Sequence, residues 1–245
     1  MKKVLSVLVI LVFTVAASAQ VKLPPPGQGS EPEPVNHNAK SLSIKKEKKH
    51  SKEELLAANN KKRAHKLFQD GVRFYKNKSY EKAISSFRES AAIYPDNALV
   101  YYNLGKIYQL QGDNKLAKSY FEDAVKYNPN DSASLISIGM IYFDEKNYPK
   151  ALEYYNKTID VAPHYAMAYY NRGSVVGMNN QYEQAAKDLT KAIDLGFSDP
   201  KVFMNRGLAY FYTKNIDKAC KDWKKAASMG APEGQKAVDL YCKKK

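Results

Sequence analysis

The apolar positions of this chain fall into register with a ladder of glycines. Gly71, Gly105, Gly139, Gly173 and Gly207 stand 34 residues apart. Four residues before each comes Leu67, Tyr101, Leu135, Tyr169 or Phe203, and three after it Phe74, Tyr108, Tyr142, Val176 or Tyr210. Offsets of −4, 0 and +3 lie on one stripe of an α-helix, so a first helix is predicted in every period. Twelve residues after the glycine stands an alanine (Ala83, Ala117, Ala151, Ala185, Ala219), and four further on a large apolar residue (Phe87, Phe121, Tyr155, Leu189, Trp223). That spacing puts both on one face of a second helix. Its start is marked eight residues after the glycine by Ser79, Asp113, Asn147, Gln181 and Asn215, four of which are good N-cap types. Pro149 fits a first helical turn. Pro95, Pro129 and Pro163 end the second helix of the first three periods, because proline cannot continue a helix; Phe197 and Ala231 stand there in the last two.

A glycine inside a helix costs about 1 kcal/mol relative to alanine. It is worth keeping where a neighbouring helix must come closer than a Cβ permits. One helix pair of this kind exposes an apolar stripe and is not stable alone; five stacked pairs bury the stripes in a continuous core. Pro232 to Lys243, with Ala237, Leu240 and Tyr241 as its apolar positions, is predicted to be a polar-backed helix that closes the stack.

These columns resemble those of the tetratricopeptide repeat family over about residues 64–233, with Tyr101, Leu104, Gly105, Tyr108, Ala117, Phe121, Ala124 and Pro129 fitting at every position of one unit. The departures are Asp70, Arg172 and Arg206, where a leucine is usual, and Ser90 and Thr158 in place of alanine. The resemblance implies an all-α fold: a right-handed superhelical solenoid of five helix-turn-helix repeats plus a C-terminal closing helix. The expected units are 64–97, 98–131, 132–165, 166–199 and 200–233, with 234–245 as closing helix and basic tail.

Upstream, Lys2 and Lys3 precede an apolar run from Val4 to Ala17, and Ala17-Ser18-Ala19 follows as a small-x-small cleavage site. Residues 1–19 thus read as a secretory signal peptide, the alternative being an uncleaved anchor; the run is short for a membrane span. Residues 20–63 read as a linker, first Pro-rich (Pro24-Pro25-Pro26, Pro32, Pro34), then basic (Lys45, Lys46, Lys48, Lys49). Ser51, with Glu53 and Glu54 after it, is expected to cap a helix that runs into the first repeat. The net charge of +14 belongs largely to these flanks: residues 20–66 hold eleven Lys/Arg against five acids, and Lys243-Lys244-Lys245 ends the chain. The basic segment is either a solvated tether or an adhesive for an anionic envelope surface, a membrane or cell-wall polymer. The repeats are nearly balanced, which argues against nucleic acid. An exported protein is expected, periplasmic or secreted, in a bacterial envelope, with no transmembrane segment once the signal is cleaved.

Family geometry turns offsets −3, −2, +1 and +4 of the first helices toward a concave, partner-binding groove. Its expected contacts are Tyr102, Asn103, Lys106, Ile136, Met140, Phe143, Tyr170, Asn171, Met204, Asn205 and Phe211. Asn103, Asn171 and Asn205 recur at one offset and resemble an asparagine ladder that grips a peptide backbone, an amide being both donor and acceptor. The alternative is that asparagine is simply common there. The aromatic and methionine lining suits an amphipathic helix or an extended apolar segment, unless adjacent helices partly bury it. Phe68 and Val72 stand where a carboxylate clamp would need polar groups. The expected function is a non-enzymatic scaffold or adaptor for a protein or peptide partner; the alternative is the envelope tether.

No catalytic, metal or cofactor site is expected. His37, His50, His65 and His164 are dispersed without ligand spacing, and no Gly-x-Ser-x-Gly, phosphate loop or His-Glu-x-x-His occurs. Cys220 and Cys242 lie equidistant from a predicted turn at Ala231, level with each other in an antiparallel helix pair. A disulfide between them is expected in an oxidising compartment; the alternative is two buried thiols.

Overall fold

The structure, a computed structural model, describes residues 37–242. The expected signal segment, the polyproline stretch and Lys243-Lys244-Lys245 lie outside the described residues. The chain divides into residues 1–49 and 50–245. Of the first unit, the described part is the opening of α1 (His37–Lys76). The second unit continues α1 and adds α2 (Tyr80–Ile93), α3 (Ala98–Leu110), α4 (Asn114–Tyr127), α5 (Ser132–Asp144) and α6 (Tyr148–Val161). It ends with α7 (Ala166–Met178), α8 (Tyr182–Asp194), α9 (Pro200–Tyr212), α10 (Ile216–Ser228) and α11 (Pro232–Tyr241). From α2 onward each helix packs on the next along the chain, and α7 also touches α9. The fold is an all-α solenoid of paired helices.

Helix α1 begins well before Ser51, which lies inside it and caps nothing. The reason is compositional. From His37 to Asp70 there is no proline or glycine, and lysine, glutamate, alanine and leucine, all good helix formers, dominate. Residues 48–63 are exposed; Ala64 is the first buried side chain among the described residues, and its carbonyl accepts a hydrogen bond from Ser90 Oγ at 2.8 Å.

The ladder glycines sit where the second helix presses a ring onto the first. A Cβ on Gly71, Gly105, Gly139 or Gly207 would lie 2.5–2.7 Å from Phe87, Phe121, Tyr155 or Trp223, respectively. At Gly173 the neighbour is Leu189, and the gap is 3.0 Å. Ala83, Ala117, Ala151, Ala185 and Ala219, one turn earlier on the second helices, are almost wholly buried. Close approach therefore explains the glycine column, and dense ring packing offsets its cost in helix propensity.

The second helices start where expected, but only two of the five caps make the side-chain bond: Asp113 accepts from the Leu116 N–H and Asn147 from the Lys150 N–H. Their ends use two devices. Helices α2, α4 and α6 stop two residues before Pro95, Pro129 and Pro163. Helices α8 and α10, which lack the proline, stop at Gly196 and Gly230, both at φ +90°. There the Phe197 N–H donates to the Ala192 carbonyl at 2.9 Å, and that of Ala231 to Ala226 at 3.1 Å. This is a left-handed glycine cap of the Schellman type.

The interior changes character along the stack. In the second and third repeats, stacked tyrosines join the paired helices, Tyr108 with Tyr120 and Tyr142 with Tyr154. In the fourth and fifth, Arg172 and Arg206 grip Asp188 and Asp222 through two N–H donors each, at 2.7–2.8 Å. A third N–H of each arginine reaches back to the preceding repeat: Arg172 to Asn156 Oδ1 at 2.8 Å, Arg206 to Thr190 Oγ1 at 3.2 Å. The aspartates are buried, and their hydrogen bonds hold both arginine pKa values above the usual arginine value. Helix α11 closes the stack, tied to α10 by the Cys220–Cys242 disulfide. Tyr241 packs on Phe211 and Trp223 with ring centres 4.8 and 5.7 Å away.

Candidate functional site

Helices α3, α5, α7 and α9 carry one exposed apolar stripe. Six residues before the ladder glycine stand Leu99 and Met167, one after it Met140 and Leu208, and five after it Leu110, Met178 and Tyr212. All seven are exposed. Offsets −6, +1 and +5 are separated by seven and four residues, which keeps them on one helix face. Helix α1 continues the series only as half-buried Val72.

The expected groove residues divide around this stripe. Met140 is exposed, and Tyr102, Asn103, Lys106, Phe143, Tyr170, Asn171, Met204, Asn205 and Phe211 are half-buried. Ile136 is different: it is buried in the core with Ile138 and Tyr142, so it cannot reach a partner. Helix α5 is apolar on nearly all sides, and offset −3 there turns between helices rather than outward. Tyr102 rests on Phe121, Phe143 on Tyr148, and Tyr170 stacks on Phe197 at 4.5 Å. Burial raises the pKa of the Tyr102 and Tyr170 hydroxyls. Phe211 is partly covered by Tyr241 of the closing helix.

The three asparagines do not share one role. Asn103 Nδ2 donates to the Leu99 carbonyl one turn back on its own helix, at 2.7 Å. Asn205 Nδ2 donates to Ser174 Oγ on α7 at 3.1 Å, linking two repeats. Asn171 Nδ2 is buried without a hydrogen-bond partner. Lys106 Nζ donates to Gln109 Oε1 at 3.0 Å.

Between α7 and α9 the stripe opens into a cavity of about 430 Å³. Its walls include Phe143, Tyr170, Leu189, Leu208, Tyr182 and Tyr212, and Gly177 stands at its side. Gly177 stands at offset +4, one of the offsets that family geometry turns toward the groove. The available signal was the column four residues after the ladder glycine, which reads Tyr75, Gln109, Phe143, Gly177 and Phe211. Among the described residues no group of His, Cys, Asp and Glu side chains could hold a metal ion, and no helix is long and apolar enough to cross a membrane.

Comparison with known proteins agrees with this architecture. The profile described as TPR repeat matches residues 71–112, and two described as tetratricopeptide repeat match 98–131 and 131–195. No curated protein matches the chain in sequence. Similar solved structures include MamA, at 21% identity and a TM-score of 0.59 over 74% of this chain and 97% of that one. YrrB, described as a TPR protein with an unusual peptide-binding site, has 18% identity and a TM-score of 0.61 over 71% and 91%. The pilF protein of Pseudomonas aeruginosa has 16% identity and a TM-score of 0.60 over 76% and 95%. At these identities the likeness is one of fold. With the glycine ladder, the paired helices and three adjoining profile matches in agreement, the chain belongs to the tetratricopeptide repeat family.

Proposed function

We propose that this protein is an exported, non-catalytic adaptor that binds a segment of another protein across the exposed face of α3, α5, α7 and α9. The observation that carries the reading is the apolar stripe. Leu99, Leu110, Met140, Met167, Met178, Leu208 and Tyr212 are large apolar side chains left in water on the same face of successive first helices. Contiguous exposed apolar surface of this kind marks interaction sites, and unbranched methionine adapts to a partner's contour. The similarity of fold to YrrB, described as having a peptide-binding site, supports it. Lys106 is the one charged side chain at offsets −3, −2, +1 and +4, and the outer offsets add Asp144 and Lys201 on α5 and α9, a mixed and sparse charge that favours an amphipathic helix or an extended apolar segment over an acidic peptide.

The experiment is crosslinking in cells with identification of captured proteins, comparing the native chain with L99D, M140D and L208D. Because these side chains are exposed, the substitutions leave the core intact. Capture of a common partner should fall at least tenfold. Undiminished capture by all three variants would sink the groove reading.

A second reading rests on a different observation. Lys46, Lys48, Lys49, Lys52, Lys61, Lys62 and Arg63 are exposed along α1, a basic segment suited to an anionic envelope surface. Deleting residues 21–50 should then move the protein from the envelope to the soluble fraction; unchanged fractionation would count against the tether.

A further inference from the structure

Gly177 differs from the ladder glycines in what surrounds it. A Cβ there would meet nothing nearer than Ala185 Cβ, at 3.4 Å, which is ordinary contact. No close approach requires this glycine, yet it sits in the last turn of α7, where alanine would favour the helix more. The third and fifth repeats put a phenylalanine at this offset, Phe143 and Phe211, and the first a tyrosine, Tyr75. What the glycine leaves behind is the cavity between α7 and α9. The fourth repeat lacks a ring there, and the second fills the place with Gln109 instead.

The cavity walls say what could supply it. None of the lining residues is charged, so a carboxylate or ammonium group entering it would lose water without gaining a counter-charge. Several of the polar groups nearby bond to one another. Ser174 Oγ donates to the Tyr170 carbonyl at 2.8 Å, Asn205 Nδ2 to Ser174 Oγ at 3.1 Å, and the Tyr182 hydroxyl to Asn180 Oδ1 at 2.7 Å. The surface left to an incoming group is mostly carbon, and much of it is aromatic. Those rings are held in place beforehand, Tyr182 stacked on Tyr212 with centres 4.3 Å apart and Tyr170 on Phe197. Rigid walls lower the ordering cost of binding, and aromatic pairs attract one another beyond simple burial.

We infer that this cavity is a socket for one phenylalanine side chain projecting from the partner segment, which replaces the ring that the fourth repeat lacks. The inference rests on the groove reading and sharpens it: the partner is anchored at the fourth repeat by an uncharged aromatic residue, and the rest of the stripe follows its apolar flank.

The test uses the full-length chain with methyl-labelled methionine and three capped amino acids as probes. Met178 lines the cavity and reports by NMR. N-acetyl-phenylalanine amide should shift the Met178 methyl signal and saturate with a dissociation constant on the order of millimolar. N-acetyl-aspartate amide and N-acetyl-lysine amide should bind at least tenfold more weakly. G177F, which restores the ring from within, should abolish the shift while the melting temperature stays level or rises. G177A, which keeps the socket open, should retain it. Equal shifts from all three amides, or a Met178 shift that survives in folded G177F, would overturn the socket. If G177F fails to fold, the comparison among amides on the native chain and G177A still decides. Partner capture that L99D and M140D abolish, with no binding of the phenylalanine amide, would overturn the socket and leave the groove intact. A monomer–dimer equilibrium abolished by G177F in ultracentrifugation would show a second copy in the cavity, and would overturn the partner segment as its occupant.

Discussion

The Arg172–Asp188 fork offers a test in which the protein carries its own control. Asp188 is 4% exposed at its side chain and receives two N–H donors from Arg172; Gln184 Nε2, at 3.1 Å, is its remaining partner. R172L removes both charged donors and strands a buried carboxylate. Breaking a buried pair from one side costs about 3–5 kcal/mol. The Arg172 side chain is 22% exposed, so the lower end, about 3 kcal/mol, applies here. D188Y leaves the arginine instead; it retains Asn156 and reaches water, so about 1–2 kcal/mol is expected. The double variant R172L/D188Y reproduces the pair the second repeat already uses, Leu104 with Tyr120, and swapping a buried ion pair for apolar groups is often neutral. It should unfold within about 1 kcal/mol of the native chain, giving a coupling energy of about 3–5 kcal/mol between the two positions. Urea denaturation followed by far-UV circular dichroism measures all four proteins. If the two single losses simply add in the double variant, the fork is not the isolated charge pair described here.

Three further outcomes follow from the packing. Replacing Cys220 and Cys242 with serine opens a link spanning 22 residues, worth about 3 kcal/mol by chain entropy; Trp223 fluorescence should also change as Tyr241 loosens, and an unaltered urea midpoint would refute it. G105A drives a Cβ to 2.7 Å from the Phe121 ring and should destabilise by about 1–3 kcal/mol, whereas G173A, facing Leu189 at 3.0 Å, should cost less; equal losses would contradict the ring-contact account. Burial, with a bond to Tyr127, pushes the Tyr101 pKa up from 10.0 to about 12, and burial pushes Tyr155 further up. Because the folded state binds these protons more tightly, their contribution is intact below about pH 10 and is lost as pH climbs towards 12. Stability measured across that window should fall, and fall less steeply in Y155F.

Helix positions, the glycine contacts and the pairing of the cysteines were legible in the sequence, because each depends on a spacing that one helix or one helix pair enforces. What was not legible depends on what lies across the interface. Asn103 and Asn205 occupy the same offset, yet one bonds to its own helix and the other to the preceding repeat, because Ser174 stands opposite only the second. Ile136 was expected in the groove and is core, since α5 is apolar on nearly every side. Ser51 looked like a helix start, but propensity carries the helix through it. Arg172 and Arg206 looked like tolerated departures from leucine. The missed signal was their joint occurrence with Asp188 and Asp222, sixteen residues on, in the same two repeats.

The third contact of each fork makes the order of the repeats matter. An arginine just before a ladder glycine needs an acceptor on the second helix of the unit before it, and Asn156 and Thr190 provide one. The equivalent position in the second repeat is Glu122 and in the fifth Lys224. A rearranged gene that placed the fifth repeat directly after the third would keep an acceptor for Arg206. One that extended the array with a further arginine-bearing repeat would set two cations side by side. The residues that join neighbours thus act as a grammar: they permit some duplications of this chain and disfavour an arginine-bearing unit after the fifth.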